Sequence, residues 1–169
     1  LWDGIKMYQT GHFFGLISAF NPYLTDKIQF TKNGTSTSLN DGVSSTIDIR
    51  SDDNVVKKFS GGAGINMING DFFVKIPLSS KMSMQVSGRR SIADLFKTPT
   101  YNQYFERTFS NTDVAGISSA NDTLLTTDEN FYFYDLNLKL MVDLSEKDKL
   151  RVNFLAFNNE ISYQENATI

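Results

Sequence analysis

His12, Phe13 and Phe14, set between Gly11 and Gly15, are the residues of this chain best suited to hold a ligand. Aromatic rings give large, rigid contact area at little entropic cost, and an imidazole adds a polar handle. Tyr8 offers a further ring just upstream. The same His12 would serve equally well to pack one part of the protein against another. Catalysis has no comparable support. The 169 residues hold one histidine and no cysteine. They contain no nucleophile elbow, no phosphate-binding glycine loop and no HExxH pair, so no catalytic residue, metal or cofactor is assigned and the chain is not read as an enzyme. Asp113, Asp122, Asp128 and Glu129 lack the ordered spacing of a calcium loop. Arg89 and Arg90 are adjacent, so a regular strand sends them to opposite faces. One of them is placed to meet a carboxylate such as Asp48.

The elements that must position these residues are strands. The formal charge is −3 with no basic stripe, which leaves no role for nucleic acid. No apolar run reaches the 18 residues of a membrane helix, but a membrane-spanning strand needs only about 9–11 residues that are apolar at alternate positions. Residues 1–54 are rich in Gly, Asn, Asp, Ser and Thr, with short apolar runs. Asp3-Gly4 reads as a tight turn, and Asn21-Pro22 before Tyr23-Leu24 as a short helical turn. Lys27–Lys32 reads as a strand ending at Asn33-Gly34, and Thr46–Arg50 as another.

Residues 55–169 keep a period of two almost throughout. Gly61, Ala63, Ile65 and Met67 share a face, and Asn69-Gly70 predicts the hairpin turn. Phe72, Val74, Ile76 and Leu78 form the next apolar face, with a turn at Ser79-Ser80-Lys81. Met82, Met84 and Val86 alternate with Ser83, Gln85 and Ser87. A long polar stretch, roughly 93–130, reads as a loop. Tyr132, Tyr134, Leu136, Leu138, Leu140 and Val142 alternate with Asp135, Asn137 and Lys139. A charged turn at 145–148 leads to Leu150, Val152, Phe154 and Ala156.

The pattern therefore predicts an all-β-dominated chain with about five long antiparallel strands. Two readings fit. A soluble β-sandwich, as in an adhesion or carbohydrate-binding module, also alternates. A transmembrane barrel explains the length of the strands, the mid-strand Lys75, Arg89, Lys139 and Arg151, and the aromatic residues near strand ends. Five strands cannot close a barrel, whose smallest single-chain form has about eight. On the barrel reading the chain is a fragment of a larger protein, and its opening residues look internal to one.

Particular stretches resemble a known family. Trp2–Tyr8, then Gly11–Gly15, then Phe20-Asn21-Pro22 are similar to the later half of the plug domain of TonB-dependent outer-membrane receptors. Asp26–Gly34 resembles that plug's strand and glycine turn, and Val43–Ile49 its closing strand. Ser87–Leu95 resembles the third barrel strand of the branch with carboxypeptidase-like N-terminal extensions. Gln29, Asn40 and Ser45 stand where the family has Glu, Gly and Gly. The resemblance implies that residues 1–54 are the C-terminal part of a small mixed α/β plug. Residues 55–169 would be the first strands of a roughly 22-stranded transmembrane β-barrel, with residues 93–130 an extracellular loop. It implies import of a scarce large solute (siderophore-bound iron, cobalamin or a glycan) across the outer membrane of a Gram-negative bacterium. It also implies a TonB energy-coupling complex acting through a segment outside this chain, the remainder of the barrel, outer-membrane lipid and a surface lipoprotein as partners. Tyr8, His12, Phe13 and Phe14 would be the ligand-facing residues. A structural or secretion-associated barrel of the same plan is the remaining alternative.

Overall fold

The computed structural model describes residues 1–33, 36–37, 44–109 and 125–167. These residues form an all-β fold with little helix. Strands β1 (Gly11–His12) and β2 (Ile17–Ser18) pair across a 3-10 turn at Phe13–Gly15. Strands β3 (Thr25–Lys32) and β4 (Ser45–Ser51) form a hairpin. Its connection, including Gly34, Asn40 and Val43, lies mostly outside the described residues. The Asn21-Pro22 segment is a single turn, with the Tyr23 amide donating to the Asn21 side chain at 3.0 Å and the Leu24 amide to its carbonyl.

The rest is one antiparallel sheet in sequence order: β5 (Ser60–Ile65), β6 (Asn69–Ser79), β7 (Met82–Ser91), β8 (Leu125–Asp143) and β9 (Lys149–Ala167). β8 and β9 run 19 residues each, far beyond the usual mode of about 5–6. Two expectations change. The first hairpin turns at Met67-Ile68 instead of Asn69-Gly70, which open β6. The Asn66 side chain accepts from the Ile68 and Asn69 amides at 2.8 and 2.9 Å and so fixes the earlier turn. The shift is even, so Ala63 still faces the same way as Phe72.

The stretch read as a loop also contains structure. Helix α1 (Pro99–Phe109) lies within it, and β8 begins at Leu125. Thr98 caps the helix by accepting from the Tyr101 amide at 3.2 Å, and Pro99 supplies the fixed φ of a first helical position.

The polarity of the sheet is the reverse of a soluble sandwich. Along β8, Asp135, Asn137, Lys139 and Met141 are buried, while Tyr134 and Leu136 are exposed and Leu138 and Leu140 half-buried. β7 buries Ser83, Gln85, Ser87 and Arg89 in the same manner. Cross-strand pairing puts Phe72, Gly88, Leu136 and Ala156 in one outward row, and Val74, Val86, Leu138 and Phe154 in the next. The polar face is covered by residues from the N-terminal third of the chain.

Candidate functional site

The tip at Gly11–Gly15 is built on strained backbone. Phe13 and Phe14 both have positive φ, 52° and 55°, and Gly15 follows at 89°. Left-handed conformations cost a non-glycine residue roughly 1–2 kcal/mol. Gly11 is obligatory for another reason: a Cβ there would lie 2.7 Å from the Gly15 Cα and 2.9 Å from the Ile17 carbonyl oxygen. The consequence is that two adjacent rings diverge. Phe13 is 3% exposed, with its ring 4.2 Å from that of Phe131 in an edge contact and near Tyr101 and Tyr104 of α1. Phe14 is 70% exposed.

His12 is fully buried. Its ring stacks on Phe133 at 4.4 Å and meets Phe157 edge-on. Nε2 lies 3.1 Å from Asp135 Oδ2 and Nδ1 lies 2.7 Å from Asn159 Oδ1. An amide can present oxygen or NH2, so Asn159 satisfies Nδ1 in either orientation. Asp135 also accepts from Arg89 Nε at 2.7 Å, and Arg89 Nη2 donates to the Ser18 carbonyl at 2.6 Å. Three strands, β1, β7 and β8, thus meet at one carboxylate, with β2 and β9 tied in through Arg89 and His12. His12 packs the tip against β8 and β9.

The arginines do face opposite ways. Arg89 is buried, and Arg90 is exposed with its Nε donating to Tyr132 Oη. The partner expected for Arg89 is different, however. Asp48 binds Arg50 within its own strand, while Arg89 takes Asp135 directly across the β7–β8 pair.

A second polar cluster lies four residues along β8. The Lys139 ammonium, 1% exposed, donates to Ser51 Oγ at 2.8 Å and pairs with Asp53 and Asp3. Ser51 in turn donates to the Asp3 carboxylate. Val56 donates its amide to Ser83 Oγ, and Arg151 donates to the Asp53 carbonyl. Pairing a buried ammonium with carboxylates and a hydroxyl offsets its desolvation.

Of the four residues singled out for a ligand, Tyr8 (89% exposed) and Phe14 are open to solvent. His12 and Phe13 are not. Lys6 lies 5.3 Å from the centre of the Tyr8 ring. Alternation put Asp135 and Lys139 on the polar face but did not give their partners, nor the part of Asn159, because it gives the face of a residue and not what it meets. No group of metal-binding side chains occurs among the described residues. Asp113 and Asp122 lie outside them, as do the side chains of Asp128 and Glu129. Comparison with family models, curated proteins and solved structures finds no match.

Proposed function

We propose that this chain is part of a TonB-dependent outer-membrane receptor. In this reading residues 1–54 are the rear of its plug and β5–β9 the opening strands of its barrel. One observation carries the reading: the five-stranded sheet turns its polar face inward and its apolar face outward. A water-soluble sandwich gains its stability by burying the apolar face. The observed arrangement makes sense where the outside is hydrocarbon and the inside is a polar lumen. From Tyr134 to Val142 the outward rows extend about 27 Å along the strand at ~3.4 Å per residue. A barrel tilt of about 40° reduces that to roughly 20 Å, close to the ~25 Å apolar band of such barrels.

The short connections, Ser80-Lys81 and Leu144–Asp148, lie at one end of the sheet. The α1 segment lies at the other, as long outer loops do. The role is import of a scarce large solute, with Tyr8 and Phe14 as ligand-facing residues. His12 and Phe13 then seat the tip against the wall. The experiment is fractionation of cells making the whole polypeptide. The reading predicts recovery in the outer-membrane pellet and release only by detergent. Recovery in the soluble fraction would favour the adhesion or carbohydrate-binding module instead.

A further inference from the structure

The outward face of the sheet carries an open groove of about 590 Å³, within the ~300–1,000 Å³ of small-molecule sites. It is open at the outward position of Gly70. A side chain on Gly70 would meet no atom nearer than 3.9 Å, so the space above it is open. At Gly88 the Phe72 ring fills the space a side chain would take, its Cε1 lying 2.8 Å from the missing Cβ position, and so forms the wall beside the opening. Phe72, Ile65 and Leu136 supply exposed apolar walls.

At the rim stands one cation. Arg90 shares its row with Gly70 and Tyr134, where the apolar rows end. Its guanidinium lies 5.2 Å from the centre of the Tyr132 ring. Nε donates to Tyr132 Oη and Nη2 pairs with Asp94, while Nη1 has no hydrogen bond among the described residues. A guanidinium matches phosphate geometry, and its remaining donors keep it available for one.

We propose that this groove holds a phosphate-bearing membrane lipid, with an acyl chain over Gly70 beside the Phe72 ring and the phosphate on Arg90. The proposal rests on the outer-membrane reading, which puts this face in lipid. Two features select a lipid. The trough continues into the apolar rows below it, and of the two arginines that line it Arg90 stands exposed at the polar end, while the Arg89 guanidinium is held by Asp135 and the Ser18 carbonyl on the other face. Asp94 competes with the phosphate for Arg90, so the site is tuned below its full strength.

The test reconstitutes the whole polypeptide in bilayers of phosphatidylcholine and phosphatidylglycerol in equal parts. Lipid retained after gentle extraction is then counted by native mass spectrometry. One phosphatidylglycerol is expected per protein. Arg90→Gln lowers its retention about tenfold, the effect of losing one charge-assisted hydrogen bond. Gly70→Leu fills the trough and also lowers retention. Asp94→Asn raises it, and the far-UV circular dichroism of each variant in detergent controls for folding. Equal retention of the two lipids, indifference to Arg90→Gln or Gly70→Leu, or a polypeptide recovered in place of lipid overturns the proposal alone. Failure of the protein to enter the bilayer overturns the membrane reading and the proposal together.

Discussion

The carboxylate of Asp135 is where the N-terminal segment and the sheet are joined most tightly. It serves Arg89 and His12 at once, in a setting closed to water. Replacing it with alanine leaves a buried guanidinium unpaired, which costs about 3–5 kcal/mol. Asp135→Ala is therefore expected to lower the urea midpoint of the purified protein well beyond what surface substitutions do. At the tip the sign reverses. Phe14 holds a left-handed conformation with its ring mostly in solvent, and asparagine tolerates that conformation better. Phe14→Asn is expected to stabilise the fold by up to about 1 kcal/mol while weakening ligand uptake by whole cells. A gain in stability coupled to a loss of uptake is the signature of strain kept for function. Equal uptake by the variant would remove Phe14 from the ligand site.

The elements were legible to different degrees, for physical reasons. β6 to β9 follow from alternation, because strand side chains point to opposite faces with a period of two. That alternation also separates Arg89 from Arg90 correctly. It does not reveal that the polar face is the covered one, since a period has no sign. The first turn was misplaced because Asn69-Gly70 is the stronger local signal. The Asn66 side chain bonds two amides and wins. Helix α1 had a signal in Thr98-Pro99, a cap followed by a first-turn proline, hidden in a polar stretch. The helix is tied down by Tyr101, whose hydroxyl accepts from the Phe131 amide at 2.7 Å. Tyr101→Phe removes that acceptor and leaves a buried amide unsatisfied, at a cost of about 1–3 kcal/mol. Hydrogen exchange at the Phe131 amide is expected to speed up accordingly. Unchanged exchange there would mean that α1 does not hold the strand.

At the scale of the molecule, two polar clusters fasten the N-terminal segment to the sheet, beside the apolar seat of Phe13 on Phe131. One is the Lys139 cluster, next to the connection into β5. The other is the Asp135 cluster, four residues further along β8 and joined to the tip. Both use ion pairs and hydrogen bonds, and the contact between them is lined by Gln85, Ser87 and Asn137. Withdrawing the tip would uncover Phe13, Phe131 and Phe133, whereas this polar stretch can separate without exposing a large apolar surface to water. That suits a plug that must move within its barrel. The outward face makes the opposite demand, for on the proposed reading it lies in hydrocarbon. The most direct measurement is a nitroxide scan of β9 from Leu150 to Phe157 in the whole polypeptide, inserted in a lipid bilayer. Collision with dissolved oxygen should peak at Leu150, Val152, Phe154 and Ala156, and collision with a water-soluble nickel chelate should be lowest there. Free access of the nickel chelate to those four positions would contradict the membrane-barrel account.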